Sequence, residues 1–112
     1  MIFHSIKKNR EFVDVYHRGK SYANKYLVMY VLNNDFGENR FGITVSKKVG
    51  NSVVRHRTTR LIRESIRLHL NMFEKSYDIV IVARNTAKGK KFSDVESAML
   101  HLGRLHGILN EE

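Results

Sequence analysis

The sequence contains no cysteine and no proline, and its acids are outnumbered by its bases almost two to one. Without cysteine there is no disulfide framework and no thiolate metal site, an absence that fits any compartment and so supports a cytoplasmic home only weakly. No apolar run approaches the roughly 20 residues that span a bilayer, and the N-terminal MIFHSIKKNR lacks an apolar signal-peptide core. With no Pro-rich or Gly/Ser-rich stretch to act as a linker, residues 1–112 read as one domain. Also missing are a D-x-D pair, an H-E-x-x-H motif and any other compact carboxylate cluster able to hold two metals at the spacing phosphoryl chemistry uses. The six histidines are scattered along the chain, and none has a partner at metal-ligand spacing.

What is present is a core-forming share of apolar residues, 42%, and a surplus of positive charge: 20 Lys and Arg against 11 Asp and Glu, a formal +9. Such a surplus speaks about partners rather than fold. Nucleic acid and anionic membrane are its common partners, and the lack of an apolar or lipid-anchoring segment favours nucleic acid.

The chain reads as helix, strand, strand, helix, strand, helix. Residues 6–18 place Ile6, Phe12, Val13 and Tyr16 near helical spacing, with Gly19 as a stop. KYLVMYVL (25–32) is aromatic and aliphatic throughout, as in a buried strand. The turn-rich NNDFGEN (33–39) separates it from RFGITVSK (40–47), where Phe41, Ile43 and Val45 alternate with Gly42, Thr44 and Ser46; the two strands predict an antiparallel hairpin. Asn51 or Ser52 caps a helix predicted to reach about residue 72. SYDIVIVARN (76–85) has the β-branched run of a central strand. After the basic turn AKGKK (87–91), Ser93 caps a last helix bearing Val95, Met99, Leu102, Leu105 and Leu109. The class is α+β, a two-layer α/β sandwich in which helices cover a small mixed sheet.

The stretch KKVGNSVVRHRTTRLIRESIR, residues 47–67, holds two lysines and five arginines against one acid, Glu64. On a helical wheel Val54, Leu61, Ser65, Leu68 and Met72 fall within an arc of roughly 60°. Ile62 and Ile66 widen that arc, which is the face expected to be buried. Opposite it His56, Arg60, Arg63 and Arg67 form a continuous stripe, with Arg57 and Glu64 beside it and Arg55 near the apolar border. Like charges one turn apart repel, and only Glu64 relieves them. Arginine is used throughout the helix, and its fork suits phosphate oxygens.

This stretch resembles the signature of the bacterial ribonuclease P protein family, approximately KKVGNAVxRNRxKRxxRExxR. Lys47, Lys48, Val49, Gly50, Asn51, Val53, Val54, Arg55, Arg57, Arg60, Arg63 and Glu64 stand in matching positions. The upstream FGITVSKK, the opening IKKNREFVDVYHRGKSYANKYLVMYVL and the late DIVIVAR (78–84) are similar to the family's segments in the same order. The chain departs from the pattern at Ser52, where Ala is frequent, at His56, where Asn is usual, and at Thr59, where Lys is common.

The resemblance implies an endoribonuclease whose RNA subunit carries the catalysis, cutting the 5′ leader from precursor tRNA with magnesium ions bound mainly by that RNA. The protein subunit then contributes no catalytic residue. Two RNA surfaces are implied. Lys47, Lys48, Asn51, Arg55, His56, Arg57, Arg60, Arg63 and Arg67 would meet the catalytic RNA. A cleft between the first helix and the sheet, lined by Phe12, Tyr16 and Tyr30 with Lys7, Lys8 and Arg10 near its phosphates, would take the single-stranded leader. Stacking on such rings tolerates any base sequence. The family fold also implies a left-handed β-α-β crossover through the basic helix, as in the second domain of ribosomal protein S5, against the usual right-handed rule. A small ribosomal RNA-binding module fits the charge but not the order of motifs. A protein-only nuclease is disfavoured by the missing acid cluster, and a helix-turn-helix DNA binder because strand-rich segments flank the basic helix and no second short helix abuts it.

Overall fold

A computed structural model describes residues 4–111, so the two ends of the expected 1–112 domain lie outside the described residues. Five strands and three α-helices follow in the order β1 (His4–Ser5), α1 (Asn9–Arg18), β2 (Lys20–Ala23), β3 (Leu27–Asn33), β4 (Arg40–Thr44), α2 (Ser52–Leu68), β5 (Tyr77–Ala83) and α3 (Phe92–His106). Short 3-10 turns at Leu70–Met72 and Asn85–Ala87 flank β5.

The sheet order is β1-β4-β5-β3-β2. The strand 76–85 is central as its β-branched run predicts, but it corrects the expected hairpin. β5 lies between β3 and β4, antiparallel to the first and parallel to the second. Local pattern gave β3 and β4 their strand character, whereas pairing was decided by a strand more than thirty residues downstream of β4's start. The hairpin that does form is β2 with β3, antiparallel from Lys20↔Val31 to Ala23↔Val28. Both β2 and the two-residue β1 were missed, since they are short and mostly exposed.

Register assigns the faces. Phe41, Ile79 and Val31 form one cross-strand row, and Ile43, Ile81, Met29 and Tyr22 the next. With Leu27 and Ala83 these side chains make the main core, closed by Ile62 and Ile66 of α2 and by Val95, Met99 and Leu102 of α3. The alternate residues Gly42, Val80 and Tyr30, then Thr44, Val82 and Val28, point to the other face. There α1 packs Val15, with Phe12 and Tyr16, against Val80, Tyr30, Leu32 and Val82. Thus α2 and α3 cover one face completely, and α1 covers only part of the other.

Helix ends show where short-range rules held. Asn51 Oδ1 accepts the Val54 N–H at 3.0 Å, the expected cap of α2. That helix stops at Leu68 rather than near 72, and Leu68 is 53% exposed instead of buried. The buried stripe runs through Thr58, Ile62, Ser65 and Ile66. Helix α1 begins at Asn9; Ile6 is buried in extended chain, its N–H donating to the Phe41 carbonyl at 2.9 Å. In α3 the cap position is Lys91, whose N–H donates to Asp94 Oδ2 at 3.2 Å, so Ser93 already lies inside the first turn. Leu105 is 44% exposed and Leu109 lies beyond the helix, though it packs against the core. His106 fastens α3 to β3, donating from Nε2 to the Met29 carbonyl at 2.9 Å. Burial pushes its pKa below the ordinary 6.5.

One ion cluster locks α1 to the sheet. Arg40 Nε and Nη2 donate to Asp78 Oδ1 and Oδ2 at 2.9 and 2.6 Å, and Nη1 donates to Glu11 Oε2 at 2.7 Å. Asp78 is buried, and Asn34 Nδ2 adds a bond to it at 2.8 Å. Arg40→Ala strands that carboxylate, and denaturant unfolding should show a loss of about 3 kcal/mol. The Arg40 guanidinium, then the Lys8 N–H, hold the Glu11 carboxyl below the ordinary 4.5. A depressed carboxyl contributes stability that is complete above its unfolded pKa and is lost as pH falls through the folded one. His106 follows the same sign, its contribution lost first as pH drops below about 6.5. Glu11→Gln should therefore shrink the loss of stability below about pH 4.5 while leaving the loss that sets in below about pH 6.5 in place, as read from denaturant melts across pH.

Candidate nucleic-acid interface

Two surfaces are built on the sheet's opposite faces. The first is the outer side of α2. Burying Ile62 and Ile66 contributes about 2 kcal/mol each, against a few tenths for each like-charged pair one turn apart. Core packing thus holds the helix in place despite its charge. His56, Arg60, Arg63 and Arg67 are all exposed, as the wheel requires. They are not equivalent. Glu64 engages Arg67 through both carboxylate oxygens, one of them accepting from Arg67 Nε at 3.0 Å. Arg57 Nη1 donates to the Lys90 carbonyl at 3.1 Å and ties α2 to the loop before α3. His56, Arg60 and Arg63 have no ion pair among the described residues.

Lys47 and Lys48 lie exposed in the turn between β4 and α2. Arg55 is half-buried, and its Nε is the one buried side-chain nitrogen or oxygen without a hydrogen-bond partner among the described residues. Asn51 spends its side-chain oxygen on the helix cap. Thr59, one of the departures from the family pattern, turns its hydroxyl inward to donate to the Arg55 carbonyl at 2.9 Å. The helix therefore presents a cationic row from Lys47 to Arg63, neutralised only at its Arg67 end.

The second surface is the partly covered sheet face. Gly42 sits at its centre because Phe12 rests there: a Cβ at position 42 would come within 2.5 Å of the Phe12 ring. Next to it Tyr16 meets the Tyr30 ring edge-on at 5.0 Å and hydrogen-bonds Thr44 Oγ1 at 2.9 Å. Phe12, Tyr16 and Tyr30, the three rings expected to line a cleft, are thus brought together and half-buried. Lys7 and Lys8 lie between β1 and α1, and Arg10 in the first turn of α1; all three are exposed.

Sequence reasoning missed Val28, Val82 and Thr44, which share this face and are half-buried. Period-2 counting outward from Tyr30 would have found Val28, but the places of Thr44 and Val82 required the β4–β5 register. It also missed that Arg63 reaches a recess of about 130 Å³ lined by Ile6, Phe12 and Gly42, where the two surfaces adjoin.

The arrangement has the parts of a nucleic-acid binder: an exposed cation row and a separate aromatic platform. Among the described residues no group of three His, Asp or Glu side chains comes together to hold a metal ion.

The family model described as Ribonuclease P matches residues 3–105. Among curated relatives, the ribonuclease P protein component of Lachnoclostridium phytofermentans is 58% identical over 106 residues, covering 95% of this chain and 91% of that protein. The component from Clostridium botulinum strain 657 is 52% identical over 106 residues, covering 94% and 96%. Of solved structures, the RNase P protein of Staphylococcus aureus superposes with a TM-score of 0.88 at 34% identity, covering 97% of this chain and 100% of that one. The RNase P protein from Thermotoga maritima gives 0.82 at 28% identity over 90% and 96%. The five-stranded mixed sheet with its three helices is the architecture these structures share. With that coverage, sequence and fold agree that the chain belongs to the ribonuclease P protein family.

Proposed function

We propose that this chain is the protein subunit of a ribonuclease P holoenzyme in the bacterial cytoplasm, binding the catalytic RNA through α2 and the 5′ leader of precursor tRNA on the α1 face. The observation that carries the reading is the exposed row His56, Arg60 and Arg63, which no acid neutralises among the described residues, mounted on a helix whose other side is core. Lys47, Lys48, Arg55 and Arg57 extend the row, and the unpartnered Arg55 Nε is a donor that an RNA oxygen satisfies. Arg67, already paired with Glu64, contributes less. Asn51 acts by capping and so aiming the first turn of α2.

On the other face, Tyr30 and the neighbouring Val28 and Val82 offer a flat, half-buried surface on which unpaired bases stack without regard to sequence. Lys7, Lys8 and Arg10 lie at its α1 edge to follow the leader's phosphates. Phe12 and Tyr16 shape the cleft more than they fill it, since one is seated on Gly42 and the other is bonded to Thr44.

Removal of the leader is hydrolysis of one phosphodiester bond, and the family implies magnesium for it. On the family reading the metal and the reacting groups belong to the RNA subunit. The protein's share is to hold substrate and ribozyme together. It works as one component of an endoribonuclease acting at the tRNA 5′ end, with no DNA or membrane partner.

In a cleavage assay on precursor tRNA at low magnesium, the protein alone should cut nothing and should strongly stimulate the cognate catalytic RNA; cutting without that RNA, or no stimulation, refutes the proposal. Arg60→Ala and Arg63→Ala should each weaken catalytic-RNA binding and lower the slope of log affinity against log salt by about 1 for every phosphate no longer neutralised. Unchanged slopes would leave the row in solvent. In the holoenzyme Tyr30→Ala should weaken binding of precursor tRNA by roughly 1 to 3 kcal/mol and leave mature tRNA untouched, as measured by competition; equal weakening for both would remove Tyr30 from the leader site.

A further inference from the structure

Between α2 and the start of α3, at the border of the α2 surface, lies a recess of about 330 Å³ lined by Arg57, Arg60, Leu61, Glu64 and Phe92. Phe92 is the first residue of α3 and is half-buried, yet it packs in neither of the two core clusters. Its ring instead lines the recess beside Leu61. Leu61 supplies an apolar floor that is itself packed on the core. The cations stand at the rim: Arg57 is anchored by Nη1 on the Lys90 carbonyl, which leaves its other N–H groups to face outward. Arg60 has no acid partner among the described residues, because Glu64, the recess's one carboxylate, is held by Arg67 through both oxygens.

A flat apolar ring and an apolar floor bordered by two guanidinium groups match one ligand chemistry: a planar base carried on a phosphate backbone. An apolar peptide leaves the two arginines without partners, and a free phosphate leaves the ring and the leucine without a purpose. We infer that this recess receives an unpaired nucleobase of the catalytic RNA, stacked on Phe92, with the flanking phosphates held by Arg57 and Arg60. The inference rests on the reading that α2 faces that RNA, and it adds a contact that recognises an unstacked nucleotide rather than a regular helix.

The chain has no tryptophan, so Phe92→Trp introduces a single indole as reporter. Its emission should be quenched on addition of the catalytic RNA and not by precursor tRNA alone. Phe92→Leu keeps the bulk but removes the aromatic face, and should raise Kd for the catalytic RNA roughly tenfold at unchanged melting temperature and unchanged salt slope, because a stacking contact releases no counterions. Arg60→Ala runs in parallel. If it weakens binding while Phe92→Leu does not and the indole stays bright, the recess is empty of RNA and this inference fails, though α2 still faces RNA. If Arg60→Ala also binds as wild type, the broader reading fails with it. Quenching by precursor tRNA alone would assign the recess to the substrate and overturn the inference as well.

Discussion

The insertion of β5 between β3 and β4 is the constraint on which the rest of the molecule depends. Because β4 and β5 lie side by side in parallel, the chain between them must cross over the sheet, and α2 is the crossover. The crossing presses Thr58, Ile62, Ser65 and Ile66 onto one sheet face and leaves the opposite side of the helix no choice but solvent. The same register puts Gly42, Val80 and Tyr30 in a row on the other face, where α1 seats Phe12 over the glycine. Both candidate RNA surfaces are consequences of one strand pairing, and Arg40, bridging Glu11 and Asp78, fixes how α1 lies across it.

How much of this was legible in the sequence follows the range of the interactions. Signals that act within one turn or one strand were readable: the Asn51 cap, the β-branched run of β5, and the alternation around Phe41. The two-sided wheel of α2 correctly exposed His56, Arg60, Arg63 and Arg67. Pairing was not readable, since nothing local tells β4 that its neighbour is β5 rather than β3. Leu68 shows the same limit: the wheel places it with the apolar arc, but the helix ends there and no core lies beneath it. Ser93 yields the cap position to Lys91 because the N–H there is served by Asp94, three residues on, whatever side chain occupies the cap.

For the site, residue type located the cations, but only three-dimensional partners ranked them. Arg67 is neutralised by Glu64, Arg57 is tethered to Lys90, and Arg60 and Arg63 are left without an ion pair among the described residues. Of the departures from the family pattern, Thr59 bonds inward to the backbone and offers no donor to a ligand. His56 keeps its exposed place in the row and presents imidazole nitrogens where an asparagine would present an amide. Phe92 carried no signal at all in one dimension. Its place beside Arg57 and Arg60 emerges only when α3 packs against α2.

The central claim is that the two faces meet two different RNAs. The cysteine-free chain allows a direct test. Val53, 75% exposed and seven residues before Arg60 on the same side of α2, and Val13, 41% exposed on α1, tolerate single cysteines to which an iron–EDTA cleavage reagent is attached. In the assembled holoenzyme with precursor tRNA, the reagent at Val53→Cys should cut the catalytic RNA and the one at Val13→Cys should cut the 5′ leader. Cuts in the leader from α2, or a catalytic RNA left intact by the α2 probe, would contradict the account.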